Sequence, residues 1–75
     1  MADLGAAKPP YQRIAAELRA QIADGVLEPG AQLPTIHALA ESHGVSINTI
    51  QKALKVLKDA GLIEGVAGYG TFVRT

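Results

Sequence analysis

Between Ser46 and Lys58 the chain carries Ile47, Asn48, Thr49, Gln51, Lys52 and Lys55, with no acidic residue before Asp59. These are the residue types that meet nucleic acid. Lysine neutralises phosphate, an Asn or Gln amide pairs its donor and acceptor with an adenine edge, and an apolar side chain touches a thymine methyl. Residues 45–58 hold three lysines and no acid, a local charge of +3. Lysines at three-residue spacing also describe an ordinary solvated helix face, so the elements around them decide which reading applies.

His37 and His43 are the other candidates for chemistry. Six residues apart on a helix, they point about 240° away from each other and do not converge as metal ligands at i and i+4 do. Gly65, Gly68 and Gly70 precede a β-rich run rather than a helix, which is the wrong context for a phosphate-cradling loop. Ser42 and Ser46 lack an acid placed to complete a nucleophile, base and orienting group. An enzyme, a metal site and a cofactor are not expected.

The elements that would position these residues are legible. Pro9-Pro10 removes two backbone donors and forces extended geometry on what precedes it, so residues 1–9 read as a flexible tail and 10–75 as the domain. From Pro10, the apolar residues Tyr11, Ile14, Ala15, Leu18 and Ile22 recur at three- and four-residue steps, predicting a helix that ends at Asp24-Gly25. Pro29-Gly30 supplies the preset φ and the positive φ of a turn, with Leu27 and Leu33 packing on either side. Thr35 is an N-cap for a helix 36–43 with Ile36, Leu39 and Ala40 inward, although Ala38 stands where a capping box wants Glu or Gln. Gly44 stops that helix, and Ser46 caps a helix 47–60 that buries Ile50, Ala53, Leu54 and Leu57 before Gly61. Two helices joined through a tight Gly-containing turn form a helix-turn-helix. Beyond Gly61 the period becomes two: a strand 62–64, a Gly-rich loop 65–70 and a strand 71–74. A lone hairpin is marginal, so Leu62, Ile63, Phe72 and Val73 are expected to pack on the helices.

Taken in order, Pro10-Tyr11, Ile14, Leu18-Arg19 and Ile22; Gly25-x-Leu27-x-Pro29-Gly30-x-x-Leu33-Pro34; Leu39-Ala40; Gly44-Val45-Ser46 and Thr49; Ala53-Leu54, Leu57 and Gly61-Leu62-Ile63; and Gly68-x-Gly70-Thr71-Phe72-Val73 resemble the DNA-binding domain of the GntR family of bacterial transcription regulators. The resemblance covers residues 10–74 and rests on the order and spacing of a dozen anchors. It implies a mainly α fold with a small β-hairpin, a winged helix-turn-helix of three helices and a two- or three-stranded wing. It implies a dimer on operator DNA, a cytoplasmic regulator associated with the bacterial nucleoid when bound, with helix 47–60 in the major groove and loop 65–70 as the wing. The DNA-contact residues on this reading are Thr35, His37, Ser46, Ile47, Asn48, Thr49, Gln51, Lys52, Lys55, Gly68 and Tyr69. Family members usually have Ser, Arg and Glu where this chain has Thr35, His37 and Ala38, and arginine where it has Ile47 and Gln51. The base often found at the wing tip is replaced by the apolar pair Val66-Ala67. Guanine-centred contacts are lost with those arginines, and Asn48, Gln51 and Ile47 shift the expected preference toward A·T-containing half-sites.

Composition sets the outer limits. Seventy-five residues with 48% hydrophobic and 19% charged side chains make one small globular domain, with one Phe, two Tyr and no Trp to build a core. The absence of cysteine fits a reducing compartment such as the cytoplasm, and no apolar run approaches the ~20 residues that span a bilayer. Formal net charge is zero, seven basic against seven acidic residues, which speaks against nucleic acid until it is divided by segment. Residues 1–30 carry −1, three basic against four acidic, while 45–58 carry +3. The missing arginines and the neutral total also support a second reading, a winged-helix module that binds protein as an antirepressor or as partner of a larger regulator. No small-molecule effector site is evident. The end two residues past Val73 fits either a small complete regulator or a domain of a longer one.

Overall fold

The computed structural model describes residues 9–74. Of the tail read over 1–9, residues 1–8 lie outside that range, and Pro9 is the N-cap of the first helix. Helix α1 spans Pro10–Ala23 and has no side-chain cap; Pro at its first position tolerates an end where backbone donors go unpaired. Its inward stripe is Ile14, Ala15 and Leu18, and the Leu27 amide closes its C-terminus on the Gln21 carbonyl at 3.0 Å. The turn at Pro29-Gly30 forms as expected, with φ of +83° at Gly30 and the Ala31 amide donating to the Glu28 carbonyl at 2.9 Å.

Helix α2, Ile36–His43, starts on Thr35, whose hydroxyl accepts from the Ala38 amide at 3.0 Å. It ends on Gly44 in the left-handed region, φ +66°. Helix α3, Ile47–Asp59, starts on Ser46 in the same way, accepting from the Thr49 amide at 3.2 Å. The connection between them is three residues, short enough to fix the two helices as one helix-turn-helix unit. Helix α3 ends one residue earlier than its apolar period suggests, with Ala60 as the C-cap.

The hairpin differs from the sequence expectation. Strand β1 is Ile63–Val66 and β2 is Gly70–Val73, paired antiparallel from Ile63 with Val73 to Val66 with Gly70. The loop is therefore Ala67-Gly68-Tyr69, closed by the Tyr69 amide on the Val66 carbonyl at 2.9 Å, rather than the whole of 65–70. Glycine interrupts the alternating pattern on which a strand is read, but Gly65 still pairs with Thr71 because ladder bonds need only backbone. A partial third strand runs beside β2. The Gly30 and Leu33 amides donate to the Val73 and Thr71 carbonyls, the Val73 amide donates back to Ala31, and Gln32 bridges Phe72.

Helices α1 and α2 both pack on α3, and β1 joins from its C-terminal end. The core is aliphatic: Ile14, Leu18, Leu33, Leu39, Ile50, Leu54, Leu57, Ile63 and Val73, with Ile50 and Ala53 fully buried. Ile63 and Val73 are buried as expected of the hairpin, whereas Leu62 and Phe72 are half-buried. No polar side chain is buried among the described residues, so the core depends on apolar burial, about 1.5–3 kcal/mol for each large side chain.

Candidate nucleic-acid interface

Four of the residues singled out in sequence line one open groove. Thr35 and His37 of the α2 start and Ile47 and Gln51 of the first turns of α3 face it, and its far wall is Gln32 with Gly70 and Thr71 at the start of β2, beside the hairpin turn. The two capped helix starts lie at this end of the molecule. The N-terminal amides of a helix carry a partial positive charge and bind anions, and both starts are free of acidic residues in their first turns.

Asn48, Gln51, Lys52 and Lys55 are all exposed, and Ile47 is 38% exposed, unusually open for an isoleucine. Thr49 differs. It is half-buried and its hydroxyl is engaged with Ser46 at 3.1 Å, so within the fold it serves the cap. The three lysines also separate. Lys52 and Lys55 flank a shallow hollow with Tyr11 and Asp59 on the α1 side, and Lys55 pairs with Asp59 at 3.4 Å. Lys58 reaches the hairpin instead, its ammonium 3.5 Å from where a Cβ on Gly65 would stand. An exposed i,i+4 pair such as Lys55 with Asp59 is worth only a few tenths of a kcal/mol and yields readily to a phosphate.

The two histidines part company, as their spacing requires: His37 lines the groove, whereas His43 lies 3.9 Å from Glu17 of α1. Gly68 and Tyr69 form the hairpin tip, Gly68 with φ of +81° and Tyr69 74% exposed. Val66 beside it is also exposed, so the tip is apolar rather than basic. A separate apolar hollow of about 420 Å³ lies between α1 and the end of α3, lined by Ala16, Arg19, Ala23, Val56 and Ala60, and shares no residue with the groove.

One residue of the site escaped sequence reasoning. The Gln32 side-chain amide donates to the Tyr69 carbonyl at 2.7 Å, joining the segment before α2 to the hairpin tip. A lone glutamine ahead of Leu33-Pro34 gives no signal of such a role, because the contact spans 37 residues of sequence.

Three helices, the second and third forming a helix-turn-helix, followed by a hairpin that flanks the exposed end of the third, define a winged helix-turn-helix DNA-binding domain. Comparison with known proteins narrows the class. Residues 10–73 match the family described as bacterial regulatory proteins, gntR family. The chain is 45% identical over 67 residues to the mannosyl-D-glycerate transport/metabolism system repressor MngR of Escherichia coli, covering 89% of this chain and 28% of that protein. It is 32% identical over 71 residues to the HTH-type transcriptional repressor YtrA of Bacillus subtilis, covering 95% of this chain and 55% of that one. Among solved structures, the AraR DNA-binding domain in complex with operator ORX1 superposes with a TM-score of 0.85 at 38% identity, covering 88% of this chain and 80% of that one. YtrA from Sulfolobus acidocaldarius, a GntR-family transcription factor, gives 0.87 at 37% identity over 100% of this chain and 79% of its own. The chain belongs to the GntR family of bacterial transcription regulators and comprises its winged helix-turn-helix DNA-binding domain.

Proposed function

We propose that the chain represses transcription by binding a two-fold operator as a homodimer, with the start of α3 in the major groove and the 67–69 tip in the minor groove of each half-site. The observation that carries this reading is the groove itself, which Ile47 and Gln51 of α3 line together with Thr35 and His37 of the capped, acid-free α2 start and the beginning of β2. In this arrangement Thr35, Ser46 and the amides behind them hold phosphates, with His37 adding a contact through an imidazole N–H. Asn48 and Gln51 read adenine, and Ile47 covers a thymine methyl. Lys52 and Lys55 neutralise the flanking backbone, while Thr49 acts through the cap. Gly68 lets the tip turn and Tyr69 meets sugar and backbone. The MngR and YtrA relatives are repressors by name, and an AraR domain of the same fold is bound to an operator, which supports both the role and the partner.

Dimerisation follows from affinity. One copy offers few phosphate contacts and a neutral total charge, so two half-sites about one helical turn apart are required for useful binding. Selection of bound duplexes from a random pool, with the protein–DNA stoichiometry measured by sedimentation, tests the proposal. The expected result is an inverted repeat of A·T-containing half-sites with two chains bound. G-rich half-sites would overturn the base assignments, and no binding even at low salt would leave the protein-binding reading in its place.

A further inference from the structure

We propose that Gln32 is the positioning residue for the wing, a side-chain clasp that fixes the 67–69 tip relative to the helix-turn-helix; this rests on the DNA-binding reading above. The backbone pairing that anchors the hairpin to the rest of the domain covers only its base. The Leu33 amide to Thr71, the Val73 amide to Ala31 and the Gly30 amide to Val73 close residues 71–73 against 30–33, and no backbone bond of that set reaches beyond Thr71. A two-stranded ribbon without further support twists and bends freely. Gln32 extends the attachment. Its main chain bridges Phe72, and its side-chain amide passes along the strand to donate to the Tyr69 carbonyl at 2.7 Å, inside the turn itself.

The turn is shaped for this contact. Gly70 has φ of +120°, a conformation that L side chains rarely adopt, and a Cβ there would stand 2.6 Å from the Gln32 nitrogen. Glycine at 70 therefore does two things at once: it swings the Tyr69 carbonyl toward Gln32 and leaves room for the amide to reach it. At its other end Gln32 is followed by Leu33, which is buried, and two residues later by the Thr35 cap of α2. The clasp thus ties the wing tip to the segment that enters the helix-turn-helix. A carboxamide has two N–H donors and one carbonyl, and the bond to Tyr69 uses one donor of a residue that also lines the groove with Ile47 and Gln51.

Two variants of similar length test the clasp: Gln32→Met, which has no donor, and Gln32→Glu, which has none when ionised and repels the Tyr69 carbonyl. Because Gln32 is exposed, neither change opens a cavity and both variants should fold cooperatively, with a melting midpoint lowered by no more than the few degrees that one lost hydrogen bond accounts for. The first readout needs no DNA: amide hydrogen exchange at Tyr69, whose N–H is held by the Val66 carbonyl at 2.9 Å, should accelerate in both variants while exchange within α3 is unchanged. The second uses the selected duplex and the same duplex with 2,6-diaminopurine in place of adenine, which adds an amino group to the minor groove and leaves the major-groove edge intact. Gln32→Met should bind the ordinary duplex about 2- to 10-fold more weakly per half-site, the free energy of one net hydrogen bond expressed as a binding ratio. On the diaminopurine duplex, where the wing is already displaced, wild type and variant should bind alike. Unchanged exchange at the tip, or an equal loss on both duplexes, would overturn the assignment. Failure of the wild-type protein to bind any duplex would instead defeat the DNA-binding reading, and the inference with it.

Discussion

Ser46→Ala separates what the α3 cap contributes to the fold from what it contributes to DNA binding. The Ser46 hydroxyl accepts from the Thr49 amide at 3.2 Å and shares a hydrogen with the Thr49 hydroxyl at 3.1 Å. Ser46 is exposed, so its loss opens no cavity and strands no polar group away from water. The cost is therefore that of an N-cap alone, about 1 kcal/mol within a range of roughly 0.5–2. In a domain of this size about 1 kcal/mol lowers Tm by roughly 4–8 °C, well within the reach of calorimetry. Ser46→Gly should lose only a few tenths of a kcal/mol. Ser46→Asp keeps the acceptor and places a negative charge on the positive end of α3, so stability should return to wild type or exceed it. The same charge repels a phosphate at that end, and operator affinity measured by fluorescence anisotropy should fall below that of Ser46→Ala. An unchanged Tm in Ser46→Ala would refute the cap reasoning; wild-type affinity in Ser46→Asp would refute the placement of phosphate at the start of α3.

Ile50→Ala empties a fully buried site in the first turn of α3 and should cost about 2–5 kcal/mol, enough to consume most of the stability of a small domain and visible as loss of a cooperative denaturant transition. Gly44→Ala meets no atom within 4 Å of the new Cβ, so only the left-handed backbone opposes it; urea melts should show a loss of about 1–2 kcal/mol, smaller for Gly44→Asn. Lys52→Gln should reduce the slope of log affinity against log salt by about 0.9 for each copy bound, with a similar change for Lys55→Gln; an unchanged slope would remove that lysine from the interface.

The helices were legible because each carries its signals locally. Thr35 and Ser46 precede apolar stripes at helical spacing, Gly44 follows one, and the structure uses all three as expected. The hairpin was legible as a hairpin but not in its extent. Gly65 and Gly70 hide two strand positions behind a residue type that alternation cannot score, while backbone pairing to Thr71 and Val66 is indifferent to side chains. Periodicity alone puts Ile47 and Gln51, four residues apart, on one face of α3, and in the structure both line the candidate groove. What depends on three-dimensional approach was not: Lys58 turning to the wing, Thr49 spending its hydroxyl on the cap, and Gln32 reaching Tyr69 across the fold. The charge arithmetic sharpened in the same way. The +3 of 45–58 is divided, with Lys52 and Lys55 beside one hollow and Lys58 against the hairpin, so no single face of α3 carries the whole of it.

Amide chemical-shift mapping of the labelled protein against its selected duplex tests the central claim most directly. The account predicts perturbations concentrated at Thr35 and His37, across Ser46–Lys52 and at Gly68 and Tyr69, with Glu17, Arg19 and Ala23 of α1 unmoved. Perturbations centred on the α1 hollow, with the groove residues silent, would contradict it.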